Sequence, residues 1–147
     1  GIGFCGLSER CDMAGARAMH DAFGLELTFC FELAASEYHT NVVLAILAGR
    51  AVVLAPHGFD DAAVPAAIAQ VYEGRAIMLD TAQKTAFAGN AIALTPDSVW
   101  FSAIAAAALH AQQREQLQTW GFAVRSIELD EIEKAGGSLR CCVGEIF

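Results

Sequence analysis

One pattern of elements occurs twice in this chain at a fixed interval, and that interval restricts the fold more than any composition statistic. "HTNVVLAIL" (His39–Leu47), a turn at "AGR" and "AVVLAP" (Ala51–Pro56) read as two apolar strands around a tight turn. Asp60 or Asp61 then caps a predicted helix with Val64, Ile68 and Val71 on one face. Gly74 stops it, and "RAIMLD" (Arg75–Asp80) returns as a strand. The same order follows from Asn90. "NAIALTPDSVWFSAI" holds two strands around Pro-Asp-Ser, "AQQREQLQTWG" a helix, and "FAVRSIEL" a closing strand. His39 and Asn90 lie 51 residues apart, and another 51 residues lead to Cys141. A period near 50 belongs to arrays, solenoids and propellers, whose repeats bury their faces against neighbours. The spacing therefore brings His39, Asn90 and Cys141 toward one axis.

Before the first full unit, Asp12 is placed to cap a helix over Met13–Gly24, and "LELTFCFEL" (Leu25–Leu33) alternates with the two-residue period of a strand. The chain thus divides into the end of one repeat (1–38), two repeats (39–89 and 90–140) and the start of another (141–147) within one domain. With 147 residues, 55% of them hydrophobic, it has ample material for one core. The longest apolar stretch, Asn41–Pro56, is broken by Gly49 and Arg50 and is too short for a spanning helix, so no membrane partner is expected. A net charge of −8 without a basic cluster argues against nucleic acid. The five cysteines show no CxxC or paired-His spacing, so neither metal nor cofactor is expected. Reduced thiols in the cytoplasm are the expected state.

A Cys and a His at one repeat register are the minimal parts of thiol catalysis. Either residue alone is more often a core residue. Together at the axis, beside the Gly89-Asn90 and Arg140-Cys141 pairs, they point to function. Cys142, one position along an expected strand, should face away from Cys141 and be buried.

Four stretches, "LSER" (Leu7–Arg10), "HTN" (His39–Asn41), "FAGN" (Phe87–Asn90) and the terminal "GGSLRCCVGEIF" (Gly136–Phe147), carry a family resemblance in their order and spacing. The chain resembles the C-terminal part of the amidinotransferase-like citrulline hydrolases. These belong to the guanidino-group-modifying superfamily with arginine deiminases and dimethylarginine dimethylaminohydrolases. The resemblance implies an α/β pentein fold, a propeller of five ββαβ-like blades, of which this chain holds about three. It implies hydrolase or amidinotransferase-like chemistry on a guanidino or ureido group such as that of citrulline or arginine. In that chemistry Cys141 is the nucleophile and His39 the proton carrier. Arg10, Asn41 and Asn90 match positions suited to substrate binding. Arg10 reads equally as an exposed residue near a helix start, and Asn90 as a turn residue after Gly89.

The superfamily's site also uses carboxylates, one of them in N-terminal blades with no counterpart here. The chain is therefore expected to act with a missing N-terminal segment or as a homo-oligomer. The alternative function is a non-catalytic binding protein descended from the enzyme.

Overall fold

The computed structural model describes residues 1–144, which form three small sheets in chain order. The first pairs β1 (Ile2–Leu7) in parallel with β2 (Leu27–Glu32), joined by helix α1 (Met13–Phe23). Asp12 caps α1 as expected: its carboxylate accepts from the Gly15 amide at 2.9 Å.

The second sheet has the order β3-β4-β5, with β3 (Leu44–Leu47) antiparallel to β4 (Ala51–Leu54), and β4 parallel to β5 (Ala76–Met78). Helix α2 (Ala63–Val71) makes the crossover. Asp61 accepts from the Ala63 amide at 2.8 Å as the chain enters it. Of the apolar face expected on α2, Ile68 is buried and Val64 half-buried, while Val71, at the last position, is exposed.

After a short capped helix, α3 (Thr81–Thr85), the third sheet repeats the arrangement. In it β6 (Ile92–Thr95) is antiparallel to β7 (Ser98–Ser102), and β7 is parallel to β8 (Ala123–Ile127). Two helices, α4 (Ala103–Ala108) and α5 (Ala111–Thr119), fill the crossover where the repeat pattern indicates one. Ser102 caps α4 through the Ala105 amide, at 3.2 Å. A short helix, α6 (Asp130–Glu133), leads to the C-terminal turn.

Two expected strand starts are 3-10 turns instead. Thr40–Val42 is such a turn, and β3 begins only at Leu44. Leu139–Cys142 is another, so Cys141 and Cys142 do not open a strand. Both thiols are exposed, and the expectation of a buried Cys142 on an opposite strand face is overturned, because a 3-10 turn has no two-residue alternation.

The core runs through all three units. Val52, Val53 and Leu54 of β4 are buried with Ile68, Ile77, Phe101, Leu117 and Phe122. Polar groups bind neighbouring units together. The buried Gln83 and Gln113 side chains exchange hydrogen bonds at 2.6 and 3.2 Å, and Gln113 also donates to the Met78 carbonyl. Arg50 lies 4.5 Å over the Phe122 ring and donates to the Trp120 and Pro96 carbonyls.

Candidate active site

Three turns meet where the period of 51 places them. They are the His39–Val42 turn, the Gly89-Asn90 pair before β6 and the Leu139–Cys142 turn. Asn90, 1% exposed, holds them together. Its amide nitrogen donates to the Asn41 carbonyl at 2.6 Å and to Cys141 Sγ at 3.4 Å. Its amide oxygen accepts from the Arg140 and Cys141 backbone N–H groups at 2.9 and 3.4 Å. Cys141 Sγ also lies 3.9 Å from Asn41 Oδ1. A buried amide must satisfy both its ends, and Asn90 does so entirely within the protein.

Gly89 makes this meeting sterically possible. A Cβ at that position would lie 2.4 Å from the Val42 carbonyl oxygen and 3.1 Å from its carbon, so only glycine lets the two turns touch.

His39 is exposed and caps the first turn with extended backbone, φ −141°. The Tyr38 ring packs beside its imidazole, with centroids 4.9 Å apart. The Tyr38 hydroxyl donates to the Gly136 carbonyl, tying the His39 segment to the approach of the cysteine turn. Burial first, and then the neighbouring Cys141 and Glu37, raise the phenol's pKa above its ordinary value, while Arg10 works against them. From the other side Gly6 donates its N–H to Thr40 Oγ1 at 2.8 Å, and Ser8 Oγ donates to the Tyr38 carbonyl at 2.9 Å. The histidine thus stands between two fixed neighbours.

A cavity of about 550 Å³ opens at this place. His39, Asn41, Tyr38 and Arg140 line its polar side, and Phe4, Leu44, Ile46 and Ile92 its apolar side. Among the described residues no Asp or Glu lines it. Glu37 is close in sequence but buried elsewhere, in an ion pair with Lys84 and a 2.9 Å hydrogen bond from Ser36.

The structure therefore joins Asn41, Asn90 and Cys141 by hydrogen bonds, and brings His39 in through its place two residues before Asn41 on the cavity wall. Arg10 remains outside the cavity wall, exposed, with Nε 3.5 Å from a carboxylate oxygen of its neighbour Glu9. Sequence reasoning missed Tyr38. It stands next in sequence to His39, and that adjacency was the available signal.

Repeated ββαβ units converging on a cysteine turn and a histidine turn define a class, the pentein-type guanidino-group-modifying proteins. The model of the eukaryotic N,N-dimethylarginine dimethylhydrolase family matches residues 2–147, and the chain belongs to that family. No curated protein matches the chain. Several solved structures do. The N-terminal domain of ArgZ, a cyanobacterial arginine dihydrolase, solved with its substrate, is 21% identical with a TM-score of 0.77. That match covers 93% of this chain and 48% of the other. AgrE, in a ternary complex with ornithine and NAD+, gives 21% and 0.78, covering 94% of this chain and 20% of that one. SxtG, an amidinotransferase from Microseira wollei, gives 15% and 0.69, covering 94% and 40%. At such identities the likeness establishes the fold. The chain spans about half the length of the ArgZ domain.

Among the described residues no helix is long and apolar enough to cross a membrane.

Proposed function

We propose that the chain carries the nucleophile and histidine half of a hydrolase or transferase acting on a guanidino or ureido group. The observation that carries this reading is the Asn90 amide, which joins the cysteine turn to the histidine turn beside an open cavity.

Cys141 Sγ, as thiolate, attacks the central carbon of the bound group and forms a C–S bond. The departing amine takes a proton from His39. His39 then removes a proton from water, which attacks the same carbon, and the C–S bond breaks to return the thiolate. Asn41, on the cavity wall, is assigned to the substrate's N–H groups. Asn90, with every amide valence engaged, is assigned to positioning Cys141 and Asn41. Arg10, outside the cavity wall, is assigned to a substrate carboxylate. Citrulline and arginine are the first substrates to try, and N-methylated arginines follow from the family.

The three sheets are read as about three of five pentein blades, divided at 1–38, 39–89, 90–140 and 141–147, in a reducing, cytoplasmic setting. Residues 145–147 lie outside the described residues. The missing carboxylate is assigned to an N-terminal segment or to a second copy of the chain. Among the described residues the cavity has no acidic lining, and this favours a second reading, in which the chain binds guanidino compounds without turning them over.

A cationic haloacetamidine tests the site directly. It should alkylate Cys141 faster than Cys5, Cys11, Cys30 or Cys142, at a rate that falls in His39→Ala. Equal labelling of all five rules out the catalytic reading and leaves binding. Ammonia release from citrulline or arginine, dependent on Cys141 and appearing only when the N-terminal segment is supplied, separates the two.

A further inference from the structure

Two other thiols face the same cavity and take no part in the chemistry above. Cys5 is on β1, 5% exposed, and Cys11 is half-exposed at the end of the following turn. That turn is closed by paired backbone hydrogen bonds between Ser8 and Cys11, at 2.9 and 3.3 Å, which fold Cys11 back over β1. The two sulfurs lie 3.6 Å apart, and both residues line the cavity together with His39.

We propose that Cys5 and Cys11 form a reversible redox site, a dithiol that small disulfides of the glutathione class oxidise to an intramolecular disulfide in the cavity wall.

The accessible thiol reacts first. Cys11, as thiolate, attacks one sulfur of the small disulfide, forming a mixed disulfide and releasing one small thiolate. Cys5 then gives up its proton and attacks Cys11 Sγ, expelling the second small thiolate. Two protein thiols are oxidised, and the small disulfide is reduced to two thiols. Burial, and then the hydrogen bond with Cys11, push the Cys5 thiol up to about 12, so Cys5 is not the thiol that attacks first.

Forming the bond requires the sulfurs to close from 3.6 Å to about 2.05 Å. That movement draws the Ser8–Cys11 turn toward β1. The turn and β1 are hydrogen-bonded to both sides of His39, through Ser8 to the Tyr38 carbonyl and Gly6 to the Thr40 hydroxyl, so oxidation reshapes the histidine wall. Cys30 is the in-register neighbour of Cys5 on β2 and is the competing partner.

The site stands apart from the reaction assigned to Cys141 and is tested without measuring turnover. The full chain is treated with oxidised glutathione, quenched with acid, digested and mapped by mass spectrometry. The wild-type chain should yield a linked Cys5–Cys11 pair with the loss of two hydrogens. Cys5→Ala, which suits the buried position, should instead stop at a stable glutathione adduct on Cys11. Cys11→Ser should leave Cys5 reduced, with its modification at least about tenfold slower than that of Cys11 in the wild type. A persistent adduct on wild-type Cys11, a Cys5–Cys30 link, or an unmodified Cys11 while Cys141 and Cys142 react would each overturn the proposal. Circular dichroism of the two variants checks that they are folded. Should Cys5→Ala not fold, a wild-type time course in which the Cys11 adduct rises and then decays into the link gives the same decision.

Discussion

The strands β4 and β2 show how differently one kind of apolar sequence is used at the centre and at the edge of this molecule. Ala51–Leu54 of β4 is buried at every position, because it lies mid-sheet between β3 and β5 and has neighbouring units on both sides. In Leu27–Glu32 of β2 only Phe31 is buried, and Leu27 is 54% exposed. Met13 and Phe23 of α1 are exposed beside it. The difference lies in position, since a repeat buries its face only where a neighbour exists to cover it. Exposed Leu27, Phe23 and Met13 form the kind of surface that a further blade or a second copy covers.

The largest expected effect compares these two strands directly. Leu54→Ala removes a side chain with no solvent exposure and should cost about 3 kcal/mol, while Leu27→Ala should cost under about 0.5 kcal/mol in the isolated chain. Urea midpoints at pH 7 measure both. Equal losses would mean that the first sheet is covered in solution, as association through that face requires.

The next effect tests what joins the edge unit to the central one. Glu37, 8% exposed, precedes the histidine turn and pairs with Lys84 of α3. Lys84→Met leaves that carboxylate buried without its cation, at a cost of about 2 kcal/mol, with the 23% exposure of the Lys84 side chain keeping it below the fully buried range. The double variant Lys84→Met, Glu37→Leu should recover most of the loss. A single variant as stable as wild type would show that the pair is only a surface contact.

Gly89→Ala should cost less in stability, about 1–2 kcal/mol, yet more in function. A Cβ placed 2.4 Å from a backbone oxygen forces the Asn90 and His39 turns apart. The measurable sign is a fall of about tenfold or more in Cys141 alkylation by haloacetamidine relative to Cys142, since proximity effects of this size follow from displacements near 1 Å. An unchanged ratio would detach Gly89 from the site.

The repeat was readable because its elements are written in local signals. Asp12 before an alanine-rich run, β-branched strands around Gly49 and the Pro96-Asp97 turn all appear where expected. The interval of 51 residues brought Asn90 and Cys141 into hydrogen-bond contact. What escaped was non-local or marginal. The 3-10 turns at Thr40–Val42 and Leu139–Cys142 carry the same residue types as strands, and their contacts with the Asn90 amide come from far along the chain. The Gln83–Gln113 pair looks like two solvent-facing polar residues until both helices close over it. Tyr38 gains its meaning from Gly136, 98 residues away.

The smallest effect concerns the junction between the central and third units and depends on pH. Asp80 caps α3 by accepting from the Gln83 amide at 2.8 Å, and its second oxygen lies 3.1 Å from His110 Nε2, at the start of α5. The Gln83 backbone hydrogen bond, and then His110, hold the Asp80 carboxyl below its ordinary pKa. A carboxyl whose folded-state pKa is depressed takes up its proton more readily in the unfolded chain. Its contribution is therefore complete above the ordinary aspartate value of about 4 and is lost as pH falls through the lower folded-state value. Asp80→Asn keeps a capping oxygen while removing the charge. Wild type should exceed this variant in urea midpoint at pH 5, by a margin that shrinks below about pH 4. A margin that persists unchanged at pH 3 would assign the difference to packing of the side chain and not to its charge.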